Sequence, residues 1–193
     1  MLKSRLCIAF FAFAVGCAPA QKPLTDYVNP MLGTATLWDS VDLGFKPTKR
    51  TWGAEVFPGS SLPNAMVQVS PVTKFHSGAG YQYEDSVIYG FTHTNKGHWN
   101  LCHIPLLPVT GTPTPGDYCS PFSHERESAA PGYYQVFLDR YGVDAQLSST
   151  LRCAFHKYTY PAGAAASLLA DLQRSNEHVR AWDIRKEGDN VFA

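Results

Sequence analysis

The sequence predicts an all-β protein, an antiparallel β-sandwich, and three observations carry that prediction. Residues 143–159 alternate apolar and polar: Val143, Ala145, Leu147, Leu151, Cys153 and Phe155 share one face, with Ser149 the one polar exception, while Asp144, Gln146, Ser148, Thr150 and Arg152 share the other. Successive side chains of a strand point to opposite faces, so a period of two marks a long half-buried strand. Residues 133–139 precede it across Tyr141-Gly142, the pattern of a hairpin. Aromatic residues make up 13% of the chain, a bias that suits pleated sheets, and no helical period is sustained beyond the first 20 residues.

At the N-terminus Lys3 and Arg5 precede the apolar run IAFFAFAVG, which is too short to cross a bilayer and reads as an export signal. Two endings fit it. Ala18-Pro19-Ala20 is an A-x-A cleavage site, giving a signal peptide over residues 1–20 and a domain over 21–193. Ala14-Val15-Gly16-Cys17 is similar to a lipobox, giving a lipoprotein signal over residues 1–16 and a lipidated Cys17. Either ending exports the protein, as a periplasmic or cell-surface lipoprotein or in secreted form. A lipid anchor is the only membrane tie expected.

Acidic and basic residues number 16 each, and the leader takes two of the bases with it. That balance gives no electrostatic footprint for nucleic acid. Cys102, Cys119 and Cys153 follow the leader, and three thiols cannot all pair within one chain. Cys153 reads as a buried free thiol on the apolar face of the long strand, and Cys102–Cys119 is a candidate bridge in an oxidising compartment.

The other elements follow in order. A turn is expected at Asn29-Pro30, a loop over residues 35–51, and turns at Trp52-Gly53 and Phe57-Pro58-Gly59. Strands are expected over residues 65–72, 87–94 and 104–110, the last demoted to an edge or bulged strand by Pro105 and Pro108. Residues 111–121, rich in Gly, Pro and Thr, read as a loop. Strands over 167–172 and 179–184 and a turn at Gly188-Asp189-Asn190 complete the prediction.

The functional signal lies between Phe75 and His103, in FHSGAGYQYEDSVIYGFTHTNKGHWNLCH. Four of the seven histidines, three tyrosines and a tryptophan alternate there with Gly78, Gly80, Gly90 and Gly97. Glycine allows tight turns and close approach of a ligand to the chain. Aromatic faces and neutral hydrogen-bonding tips suit a polar, uncharged ligand such as a sugar. The candidate binding residues are His76, Tyr81, His93 and Trp99, with Phe57 in support; Tyr81 and Phe57 fit a core role equally well. His93, His98 and His103 recur every five residues, a spacing that matches neither one helix face nor one strand face and so argues against a metal site. Glu84-Asp85 has the hard oxygens that calcium takes, and also the look of a solvated turn. Ser123-His124-Glu125 lacks a nucleophile elbow. No carboxylate pair stands out as the acid and base of a glycosidase.

In order along the chain, YVNPMLGT, VFPGSSLPNAMVQVSP, GYQYEDSVIYGFTHT, LLPVTG and SPFSHERESAAPGYYQVFLDRYGVDAQLSSTLRCAFHKYTYP resemble the N-terminal domain of glycoside hydrolase family 92. The resemblance implies a calcium-dependent, exo-acting, inverting α-mannosidase. It would join an N-terminal β-sandwich to an (α/α)6 barrel, with the barrel supplying the acid, the base and most of the calcium site. It implies that this chain is an N-terminal part, truncated within its sandwich and without catalytic residues of its own. It would form one wall of a site for a mannose-terminated glycan. Where many members carry a Ser-Gly-Thr-Gly run and an aspartate, this chain has Asn95-Lys96-Gly97-His98-Trp99-Asn100. Where many carry a tryptophan followed by an acid, it has Lys74-Phe75-His76. From a different class, a carbohydrate-binding or structural β-sandwich without hydrolytic activity fits the same residues.

Overall fold

The structure is a computed structural model that describes residues 21–36, 44, 55–96, 99–176 and 178–192. The leader with Cys17, Trp52-Gly53, most of the 35–51 loop, Gly97 and His98 lie outside the described residues. The strands, in chain order, are β1 (Ser60–Ser61), β2 (Gln68–Val72), β3 (Val87–Ile88), β4 (Gly90–Thr92), β5 (Asn95–Lys96), β6 (Trp99–Asn100), β7 (Leu106–Thr110) and β8 (Ser120–Pro121). They continue with β9 (Glu127–Ala130), β10 (Tyr133–Leu138), β11 (Val143–Ser149), β12 (Ala154–Thr159), β13 (Ala166–Ala170), β14 (Arg185–Glu187) and β15 (Asn190–Phe192). Short 3-10 turns at Leu24–Tyr27 and His124–Arg126 are the only helical elements among the described residues.

Two antiparallel sheets form the sandwich, one in the order β1-β2-β4-β7-β13 and the other in the order β12-β11-β10-β9. The predicted hairpin is its centre. Gly142, in the left-handed region, turns the chain so that Tyr134, Val136 and Leu138 of β10 register with Leu147, Ala145 and Val143 of β11. These six side chains are buried against Val69 of β2, Phe91 of β4 and Leu107 and Val109 of β7. Burying each large apolar side chain contributes about 1.5–3 kcal/mol. Ser149, the polar exception on the apolar face, has its hydroxyl oxygen 2.7 Å from that of Ser60 on β1. The bond ties the edge of one sheet to the other.

Several expectations are corrected. The long strand 143–159 is two strands. Thr150 breaks it: its hydroxyl accepts from the Cys153 N–H at 3.0 Å, and its N–H donates to the Cys153 carbonyl at 2.8 Å. The chain therefore reverses, and β12 pairs antiparallel with β11. Reversal moves Leu151, Cys153 and Phe155 off the core face, and all three are exposed. Cys153 is thus an exposed thiol. Cys102 and Cys119 are unbridged as well; Cys102 is buried, and burial pushes its thiol up to about 12.

Residues 106–110 do not form an edge strand. β7 sits between β4 and β13, and Pro108 is tolerated because β4 reaches β7 only at the Phe91–Leu106 pair, so no ladder on that side asks for its N–H. The 87–94 strand is interrupted at Tyr89. β3 pairs with β8 inside the predicted 111–121 loop, whereas β4 joins β2 and β7. Residues 179–184 are irregular; the following residues form the β14–β15 hairpin about Gly188, at the predicted turn.

Candidate functional site

The glycine-rich stretch leaves β2 as the loop of residues 73–82. Gly80 takes φ +76° there, and a side chain in its place would meet the Asn100 amide at 3.1 Å. The loop can therefore press against β6 only because residue 80 has no Cβ. The Asn100 N–H donates to the Gly78 carbonyl at 2.7 Å. The buried Asn100 side chain accepts from the Cys102 N–H at 2.7 Å and the Thr92 hydroxyl at 3.1 Å, fixing the loop to the end of β4.

A third segment completes the site. At the end of β13, Asp171 accepts from the Gln173 and Arg174 N–H groups at 2.8 and 3.0 Å and from the Tyr118 hydroxyl. This turn sends residues 172–182 back over the loop. Asn176 then clamps the two together. Its carbonyl oxygen accepts from the His76 N–H at 2.5 Å, and its amide donates to the carbonyls of Asn100 at 2.5 Å and Ser77 at 3.4 Å. His76 is held in the left-handed region at φ +57°, uncommon for a residue with a Cβ, and the clamp fixes it there.

Between loop and segment lies a cavity of about 710 Å³, lined by His76, Gln173, Ser175, Asn176, His178, Arg180 and Trp182 with a few apolar neighbours. The volume falls in the range of small-molecule sites. Its walls offer an exposed indole face, imidazoles, amides and a guanidinium, and among the described residues no carboxylate. Such a surface can stack on a ring and donate hydrogen bonds to hydroxyls. Of the sequence-predicted residues only His76 lines it. Trp99 stands half-buried on β6, paired with Lys96. Phe57 packs against the core. Tyr81 is buried; its hydroxyl donates to Glu127 at 3.0 Å, and its ring borders a void of about 20 Å³ beside Gly33 and Thr34. His93 follows β4, with its Nε2 2.8 Å from Nε2 of His156 on β12. Glu84 and Asp85 diverge: Glu84 accepts from Thr36 and Asp85 from Thr73. Among the described residues no three His, Cys, Asp or Glu side chains converge as a metal site would require.

The sequence reading missed Asn176, and it missed Arg180 and Trp182, which fall in the strand expected over residues 179–184. It also missed His156 and Glu127. Nothing local marks Asn176, because its partners lie some hundred residues earlier in the chain.

Burial holds His93 below the ordinary imidazole range, and burial together with the neighbouring His93 pushes His156 down to about 4. The unfolded chain, with an ordinary value of 6.5, takes up protons first as pH falls. Stability contributed by the neutral pair is therefore complete above about 6.5 and is lost between there and about 4. The melting temperature of this domain is expected to fall over that window. In His156→Gln, which cannot titrate, the fall should be shallower. Equal slopes in the two proteins would contradict this account.

The fold and site define an antiparallel two-sheet sandwich with a cavity walled by an indole, imidazoles, amides and a guanidinium. Residues 27–192 match the family described as the glycosyl hydrolase family 92 N-terminal domain. The chain belongs to that family. It is similar to the family GH92 α-mannosidase BT3965 from Bacteroides thetaiotaomicron, solved in complex with mannoimidazole. The two share 30% identity with a TM-score of 0.66, over 80% of this chain and 20% of that one. It is similar also to the GH92 family glycosyl hydrolase ccman5, at 28% identity and TM-score 0.66 over 86% and 23% of the two chains. The family GH92 inverting mannosidase BT2199 from Bacteroides thetaiotaomicron matches at 27% identity and TM-score 0.62, over 78% and 20%. The chain thus spans about a fifth of the length of these relatives. No curated protein matches it.

Proposed function

We propose that this chain is the N-terminal part of an exported, exo-acting α-mannosidase-like glycoside hydrolase, and that it forms one wall of the sugar site. The observation that carries the proposal is the cavity between the 73–82 loop and the 172–182 segment, with its aromatic, imidazole and amide walls, in a domain of this family. His76, Asn176 and Trp182 line it; His93 follows β4 and Trp99 lies on β6, with Tyr81 and Phe57 as the scaffold. The catalytic acid and base, and the calcium that the family resemblance implies, are assigned to a C-terminal barrel domain. The substrate is a mannose-terminated glycan. Export rests on the leader, by cleavage after Ala20 or lipidation of Cys17.

The test uses the full-length enzyme. His76→Ala, His93→Ala, Trp99→Ala and Trp182→Ala are each expected to lower kcat/KM on an aryl α-mannoside about tenfold, the equivalent of about 1.4 kcal/mol, with little change in melting temperature. Activity that falls only in step with lost stability would make these residues scaffold.

A further inference from the structure

A second cavity, of about 400 Å³, lies beside the one at His76, and the two share His76, Gln173 and Ser175. Part of its lining is aromatic: the rings of Phe75 and Tyr89 meet there at 5.3 Å. The rest includes two cations from different elements, Lys74 of the 73–82 loop and Arg174 of the 172–182 segment. Among the described residues neither aspartate nor glutamate lines it.

Arg174 is held in place by the fold itself. Its guanidinium carbon lies 5.5 Å from the Tyr89 ring centroid and 5.4 Å from that of Tyr118, so two rings hold the cation. One of its terminal nitrogens donates to the Gly116 carbonyl at 3.3 Å. The Asp171 carboxylate stands 4.0 Å from its Nε, beyond hydrogen-bond reach. That carboxylate already accepts from the Tyr118 hydroxyl and from the Gln173 and Arg174 backbone N–H groups. A guanidinium has five N–H donors, and this one has a single acceptor among the described residues. Lys74 adds three more donors; its side chain is exposed, and among the described residues no carboxylate pairs with it.

This surplus of charged donors calls for oxygens that carry negative charge. A guanidinium fork takes two oxygens of one group and an ammonium a third, which suits a tetrahedral phosphate or sulfate better than a planar carboxylate. The volume is that of a small-molecule site in its own right, with room for a further sugar.

Resting on the reading of the His76 cavity as the sugar site, we infer that the second cavity is an anion subsite. Lys74 and Arg174 hold a phosphate or sulfate ester on the sugar that follows the terminal mannose, and they set the preference of the enzyme for such acidic glycans.

The experiment compares three substrates of the full-length enzyme: α-linked mannobiose, and the same disaccharide with a phosphate or a sulfate on O6 of its reducing sugar, the hydroxyl with the longest reach. On at least one ester, kcat/KM is expected to exceed that on neutral mannobiose about tenfold, the yield of one charge-assisted hydrogen bond. The ester that gains more identifies the substituent. In Lys74→Met and in Arg174→Met the ratio should fall to near one. Lys74 is exposed on a loop, so its substitution leaves the fold intact, which the melting temperature checks. Inorganic phosphate gives a readout apart from catalysis: calorimetric titration should show binding to the native enzyme that either substitution weakens about tenfold. Neutral mannobiose cleaved as fast as both esters, or a preference that survives both substitutions, would overturn the anion subsite. Phosphate binding lost in both variants, in an enzyme that cleaves none of the three disaccharides, would uphold the subsite and overturn the mannosidase reading.

Discussion

Glu127→Leu is expected to unfold this domain. The Glu127 side chain is fully buried under β9, yet it carries a carboxylate. Three donors satisfy that carboxylate: the Tyr134 hydroxyl at 2.6 Å, the Tyr81 hydroxyl at 3.0 Å and His124 Nδ1 at 2.5 Å. The second nitrogen of His124 lies 2.7 Å from the Tyr83 carbonyl, and its ring stacks on Tyr83 at 3.9 Å. One carboxylate therefore joins β9, β10 and the 73–82 loop that forms the site. Burial and the Glu127 charge both push the Tyr81 and Tyr134 hydroxyls up, so they remain protonated donors throughout the ordinary pH range. Leucine would leave both phenols and the imidazole without an acceptor. Breaking a buried pair in this way costs about 3–5 kcal/mol, a large share of the ~5–15 kcal/mol that holds a domain together. Glu127→Gln keeps an acceptor oxygen and should cost less, about 1–3 kcal/mol. Urea unfolding of the two variants checks the order. A Glu127→Leu midpoint equal to that of the native protein would show that the cluster holds nothing.

The second large effect is on catalysis. The 193-residue chain by itself is expected to release no phenol from an aryl α-mannoside, with or without calcium. Inverting hydrolysis needs two carboxyl groups about 6.5–9.5 Å apart across the scissile bond. Among the described residues the cavity at His76 is lined by neither aspartate nor glutamate. Glu127 is buried and its oxygens are occupied, and Asp171 is taken up by the turn that it caps. Adding the C-terminal part should restore turnover. Calcium-dependent turnover by the purified chain alone would contradict the assignment of acid and base to that part.

The sequence by itself determined the class of fold and the central hairpin. Tyr134, Val136, Leu138, Val143, Ala145 and Leu147 obey a period of two, and that periodicity is a local property that a strand expresses wherever it is placed. Of the glycine-rich stretch that the sequence singled out, the larger cavity takes only His76. The interruption at Thr150 was not legible from alternation alone. A hydroxyl capping a turn and a hydroxyl on the outer face of a strand look alike in a periodic pattern, and only the hydrogen bonds to Cys153 distinguish them. Tertiary structure alone decided the rest. Asn176 finds His76 a hundred residues away, His156 meets His93 across the seam between sheets, and Glu127 collects one tyrosine from β10 and another from the 73–82 loop. A polar side chain announces in sequence only that it needs a partner. Which partner it receives depends on how the two sheets and the 172–182 segment are laid over one another, and no spacing along the chain encodes that placement.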